Sequence, residues 1–123
     1  MKAAHLRSGT AAEKFARQWL CGQGLKCIES NFRCKAGELD LILIDRDCLV
    51  IAEVRYRSSG SHGGALASVT RHKQRRIIRA TLFWLKAHPA LVAMPMRFDV
   101  LALDGPLHSL QVTWCKRAFD ATA

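Results

Sequence analysis

The sequence predicts an α/β fold: a mixed β-sheet flanked by helices, with elements in the order α-β-β-β-α-β-β. Two segments place apolar residues at helical spacing. Five others are apolar runs or alternations of strand length, separated by turn residues. The chain of 123 residues suits one domain with a core of its own, without disulfides or a structural metal. The expected domain is residues 1–123, with 1–8 a flexible N-terminal segment.

The first helix is expected over Gly9 to Cys21, where Ala12, Phe15, Ala16, Trp19 and Leu20 fall at helical spacing. Thr10 can cap its start and Gly22 or Gly24 can end it. Leu25 to Phe32 reads as a strand, and Lys35-Ala36-Gly37 as a turn. Two strands follow, Glu38 to Asp45 and Cys48 to Arg57. In the first, Glu38, Asp40 and Ile42 alternate with Leu39, Leu41 and Leu43. In the second, Glu53, Arg55 and Arg57 alternate with Ala52, Val54 and Tyr56. Ser58 to Gly64 is a Ser- and Gly-rich loop containing His62, placed to touch a ligand. A second helix is expected from about Ser68 to His88, stopped by Pro89, with a basic first half and an apolar second half. Met96 to Leu103 alternates as a strand, and Asp104-Gly105-Pro106 turns into a last strand, Ser109 to Trp114.

Hydrophobic residues at 50% and charged residues at 24% match an ordinary soluble globular protein. The net charge of +9 does not. It points to a polyanionic partner, nucleic acid before anionic membrane, or else to a protein that is merely basic and soluble. Its placement is uneven. No acid occurs from Val54 to Phe98, a stretch holding Arg55, Arg57, Arg71, Lys73, Arg75, Arg76, Arg79, Lys86 and Arg97. The acids gather instead at Glu38, Asp40, Asp45, Asp47 and Glu53. An acidic focus in a basic field suits an enzyme that holds a cation and a polyanion together.

Five cysteines without a C-x-x-C pair exclude a zinc-ligand pattern. Their odd number, with no secretory signal, leads to an expectation of reduced thiols in the cytoplasm. No apolar run approaches membrane-spanning length, so no membrane association is expected.

The hairpin carries the chemistry. A two-residue turn at Arg46-Asp47 sets Asp40 opposite Glu53 and Glu38 opposite Arg55. Carboxylates directly opposite on one face lie roughly 5 Å apart at Cβ and repel. A hard divalent cation, Mg²⁺ or Mn²⁺, is the usual compensation. The alternative is two solvated acids on an exposed hairpin, one of them paired with Arg55. Arg55 shares the face of Glu53 and can hold a phosphate and stabilise charge developing on it. Its guanidinium stays protonated, so it is no general base. Glu38 facing Arg55 reads best as a cross-strand ion pair. Glu13, beside the apolar stripe of the first helix, is either an ordinary boundary carboxylate, the reading its spacing favours, or a third acid reaching the metal.

The start of the second helix, Arg71-His72-Lys73-Gln74-Arg75-Arg76, sets cations against the macrodipole. A phosphate backbone across that end favours both; a solvated charged face is the other reading. The nucleic-acid contacts expected are therefore Arg57, His62, Arg71, Lys73, Arg75 and Arg76. There is no P-loop and no nucleophile elbow. Asp99 reads as a support of the sheet.

These patterns together resemble a known family. They are Gly9 and Glu13, Asn31 with Arg33, Gly37-Glu38-Leu39-Asp40, Glu53-Val54-Arg55-Tyr56-Arg57, Val69 with Lys73, Arg97-Phe98-Asp99-Val100, and Ala118-Phe119. From Gly9 to Phe119 the chain resembles the YraN-like family of small uncharacterised bacterial proteins. That family is expected to have a restriction-endonuclease-like, Holliday-junction-resolvase-like core. The resemblance implies Asp40 and Glu53 as metal ligands, the carbonyl of Val54 completing the shell, and Glu13 as an auxiliary acid. Arg55 stands where such nucleases usually carry lysine. Resolvase-like relatives are often dimers, which makes a homodimer an expectation. The function implied is a Mg²⁺- or Mn²⁺-dependent endonuclease-like protein that binds nucleic acid, DNA first, and hydrolyses phosphodiesters. The alternative is a catalytically inactive nucleic-acid-binding module of the same fold.

Overall fold

The computed structural model describes residues 2–58 and 68–121, with side chains over 10–58 and 68–121. Helix α1 (Lys2–Gly22) is followed by β1 (Lys26–Cys34), β2 (Gly37–Asp45), β3 (Cys48–Arg57), α2 (Arg71–Lys86), β4 (Met96–Asp104) and β5 (Gln111–Phe119). A short 3-10 turn at Pro89–Leu91 links α2 to β4. This is the α-β-β-β-α-β-β order that the sequence predicts. The strands form one sheet in the order β1-β2-β3-β4-β5. β3 and β4 are parallel, joined by the crossover through α2. The other three pairings are antiparallel, so the sheet is mixed.

Each helix covers one face. Ala12, Ala16 and Leu20 of α1 recur every fourth residue and are fully buried against Leu43, Val50 and Leu101. The two alanines let the helix approach the strands closely. α1 ends in a glycine cap. Gly24, at φ +100°, donates to Cys21 O, and Leu25 N reaches back to Leu20 O at 3.2 Å. Leu20 and Leu25 are buried in the same cluster, the apolar contact that accompanies this motif. On the other face, Ile77, Ala80 and Trp84 of α2 bury against Ile42, Ile51 and Phe98. Thr70 caps α2, accepting from Lys73 N at 3.3 Å.

Several bounds differ from expectation. α1 starts at Lys2 and takes in most of the segment 1–8 expected to lie outside it. α2 starts only after its Thr70 cap, not at Ser68. β5 runs on to Phe119, well past Trp114. Its register shifts opposite Phe98 and Val100, and Arg117 takes φ 54° there. Asp99 holds that bulge. Its carboxylate accepts from Arg117 N at 3.1 Å, Trp114 Nε1 at 3.0 Å and Arg97 Nε at 3.1 Å. Arg97 in turn reaches Asp45 at 3.0 Å. Asp99 is thus a sheet support, as its sequence context suggests.

The feature that positions the site is where β2 and β3 part. They pair from Asp45↔Cys48 to Leu41↔Ala52 and no further. Upstream of Leu41, β2 pairs only with β1, to Cys34↔Gly37. Beyond Ala52, β3 pairs only with β4, to Arg57↔Asp104. Freed from β3, the start of β2 also loses strict alternation: Leu39 is buried in the α2-side core beside Ile42 rather than with Leu41 and Leu43. Among the described residues, no helix is long and apolar enough to cross a membrane.

Candidate functional site

Asp40 and Glu53 flank the fork where β2 and β3 separate. The hairpin register makes them the next pair after Leu41↔Ala52. In place of a further backbone rung, Asp40 Oδ2 accepts from Val54 N at 2.9 Å. A side chain thus terminates the ladder and is itself oriented by it. Both acids are buried, Asp40 at 8% and Glu53 at 7% exposure. They are not the solvated hairpin acids of the alternative reading.

Burial dominates their electrostatics. Desolvation pushes the Asp40 carboxyl up to about 6, against the bond from Val54 N, with the charge of Glu13 adding to the rise. Desolvation and then the charge of Asp40 push Glu53 up to about 9, against the opposing charge of Arg55. The two carboxyls compete for one small space, and at neutral pH they retain a proton between them. Glu53 Oε1 accepts from Arg55 Nη2 at 3.1 Å. Glu53 Oε2 and Arg55 Nε are both buried without a hydrogen-bond partner among the described residues.

The pair opens into a cleft of ≈ 1020 Å³. Glu13 and Ala12 of α1 form one wall, and Lys73, Arg76 and Ile77 of α2 another. Arg33, Arg55 and Arg57 bring further cations from the strands. Glu13 is oriented by Asn31, whose amide nitrogen, turned to donate, lies 3.0 and 3.2 Å from its two carboxylate oxygens. Asn31 reaches it from a left-handed backbone at φ 57°. Arg76 Nε donates to Ala36 O at 3.3 Å. This contact draws α2 over the β1–β2 turn, where Gly37 takes a backbone, φ +155°, that L side chains rarely adopt.

The structure brings together Glu13, Asp40, Glu53, Val54, Arg55, Arg57, Lys73 and Arg76 of the expected residues. Arg71 and Arg75 lie elsewhere, exposed on the outer side of α2. His62 lies outside the described residues. Glu38 requires a correction: it does not face Arg55. The β2–β3 ladder has ended before it, and its cross-strand partner is Arg33, with Arg33 Nε 3.3 Å from Glu38 Oε2 in an exposed pair. Arg55 is left to Glu53. Arg33, which is not among the expected contacts, also lines the cleft.

As a donor set, Asp40 and Glu53 are two hard oxygen ligands. Among the described residues, no His, Cys, Asp or Glu makes a third with them in metal-binding geometry. The backbone offers one more oxygen. Leu49 N points toward β4, bonding Pro95 O. Strand alternation turns the N–H and C=O of Val54 the other way, toward β2. No rung of β2 meets that carbonyl, because the ladder ends at Leu41↔Ala52. The orphaned Glu53 Oε2 and the raised carboxyls fit a bound divalent cation, which would take the place of the shared proton.

A family model described as "Uncharacterised protein family UPF0102" matches residues 12–103. The chain belongs to this family. UPF0102 proteins of several bacteria align along nearly all of it. One from Alcanivorax borkumensis is 49% identical over 113 residues, covering 91% of this chain and 90% of that protein. One from Alkalilimnicola ehrlichii is 45% identical over 119 residues, covering 97% and 91%. One from Pseudomonas entomophila is 46% identical over 114 residues, covering 92% and 93%. The resemblance to small uncharacterised bacterial proteins drawn from the motifs is borne out. The UPF0102 match includes both arms of the fork and the cleft-facing side of α2.

Proposed function

We propose that this UPF0102 protein binds nucleic acid, DNA first, in the cleft and hydrolyses a phosphodiester bond with a divalent cation. The observation that carries the reading is the Asp40–Glu53 pair: two buried carboxylates at a strand fork, one oxygen without a donor, inside a cationic rim. A buried carboxyl oxygen without a donor is costly, and a cation ligand would satisfy it once the shared proton leaves. Asp40, Glu53 and the Val54 carbonyl would hold Mg²⁺ or Mn²⁺. When bound, such an ion supplies Lewis acidity toward the phosphate and the attacking water.

The remaining roles belong to the chain. Val54 N–H fixes the Asp40 carboxylate and so keeps the site open. Arg55, with its free Nε, binds a non-bridging phosphate oxygen and stabilises the charge that grows on it. Lys73 and Arg76 hold the flanking backbone from α2, and Arg33 and Arg57 from the strands. Glu13, oriented by Asn31, stands across the cleft as an auxiliary acid for the water.

A second reading is a binding module that has lost cleavage. It is favoured by Arg55 in the place of the lysine usual in such nucleases, and by the Arg55–Glu53 bond, which occupies a carboxylate oxygen. One experiment separates the two. End-labelled duplex, single-stranded and branched DNA are incubated with the protein and with Asp40→Asn, with and without Mn²⁺. Cleavage that needs Mn²⁺ and disappears in Asp40→Asn supports the nuclease. Retention of all substrates without cleavage supports the binding module, and neither binding nor cleavage would reject both.

A further inference from the structure

The cations of α2 divide between two opposite sides of the helix. Ile77, Ala80 and Trp84 are buried against the sheet, and Lys73, one turn before Ile77, shares that side and lines the cleft. At 100° per residue, Arg71, Arg75, Arg79 and Lys86 project from the opposite side. All four are exposed. They form a stripe about 22 Å long at 1.5 Å per residue. None of them makes an ion pair with a described residue. The helix contains no acid, and the segment 59–67 before it contains none either.

This arrangement works against the helix itself. Arg71 and Arg75, and Arg75 and Arg79, are like charges four residues apart, which destabilise a helix. Arg71 opens the helix, where the macrodipole disfavours a cation. Lys86 also leans over the exposed Phe83 ring, 5.4 Å from its centroid. A single backbone lying in the cleft meets Lys73 and Arg76 and cannot also reach Arg79 and Lys86 on the far side.

We propose that the outer face of α2 is a second polynucleotide-binding surface. It would engage a second stretch of phosphate backbone while the cleft holds the first. The inference rests on the nucleic-acid reading of the cleft and extends it to a substrate that presents two backbone tracts at once.

The test is the salt dependence of binding, followed by fluorescence anisotropy with labelled DNA. Four proteins are compared: the full chain, Arg75→Gln/Arg79→Gln, Lys73→Gln/Arg76→Gln, and the variant combining all four substitutions. Each phosphate contact contributes about 0.9 to the slope of log affinity against log salt. The outer-face variant is expected to lower the slope by about 2, the cleft variant by a similar amount, and the combined variant by the sum. Thermal melting supplies a readout that a structural role would not give: relieved of repulsion, the outer-face variant melts higher while binding more weakly. An unchanged slope in the outer-face variant, beside a reduced one in the cleft variant, overturns the second surface and leaves the cleft reading intact. Binding of the full chain to anionic phospholipid vesicles but not to DNA overturns both.

Discussion

Glu53 and Arg55 share a single hydrogen bond, Nη2 to Oε1 at 3.1 Å, and each keeps one buried polar atom unpaired, Oε2 on the acid and Nε on the base. The pair is half-satisfied on both sides. Glu53 Oε2 lacks a donor or cation, and Arg55 Nε lacks an acceptor. A divalent cation held by the acid and a phosphate held by the base would satisfy both.

Cation and polynucleotide are therefore expected to bind cooperatively. Mn²⁺ affinity, measured from the loss of the free-ion resonance, should rise about 5-fold or more when a non-cleavable oligonucleotide is present, within the usual range of coupling free energies. In Arg55→Met the coupling should fall toward unity. Equal Mn²⁺ affinity with and without oligonucleotide in the parent protein contradicts this account of the pair.

The same two acids set a pH dependence. Both carboxyls are raised by burial, Asp40 to about 6 and Glu53 to about 9. A raised carboxyl favours the fold below its unfolded pKa, and that contribution is lost as pH rises through the folded value. Metal-free protein should lose stability progressively from about pH 4 to pH 9. Near pH 7 the slope should correspond to about one proton, since the pair holds roughly one proton more in the folded state than in the unfolded one. Glu53→Gln should flatten this profile and raise the melting temperature at pH 8, at the expense of cation binding. A parent protein whose melting temperature is flat or rises across this range would disprove the burial account.

Asp99 makes a prediction that is independent of catalysis. Its side chain is fully buried and satisfies Arg97, Trp114 and the left-handed Arg117. Asp99→Ala leaves Arg97 with Asp45 alone, deprives Trp114 Nε1 and Arg117 N of their acceptor and frees the bulge in β5. The expected loss is about 2–5 kcal/mol, the cost of leaving two donors unsatisfied, read as a lower urea midpoint. A loss within experimental error would mean that the bulge holds without it.

The hairpin was legible because a two-residue turn fixes register, and the observed pairing from Asp45↔Cys48 to Leu41↔Ala52 follows from it. The place where the hairpin stops pairing was not. It depends on β2 continuing along β1 while β3 continues along β4, a tertiary property invisible in either strand's alternation. Assigning Arg55 to Glu38 failed for that reason. The length of β5 was hidden similarly, since the residue that stabilises its bulge lies on β4. The orientation of Asn31 toward Glu13 depends on a left-handed backbone that composition does not announce. The division of α2, by contrast, was available: Ile77 and Trp84 set the helix phase, and counting back from them separates Lys73 from Arg71 and Arg75.

The central claim is that Asp40 and Glu53 hold a divalent cation against a phosphate. Crystals grown with Mn²⁺ and a non-cleavable DNA oligonucleotide, measured at the manganese edge, test it most directly. The account predicts an anomalous peak bonded to carboxylate oxygens of both residues, with a phosphate oxygen on Arg55. DNA bound in the cleft with no peak there, or with manganese bound only at other residues, would contradict it.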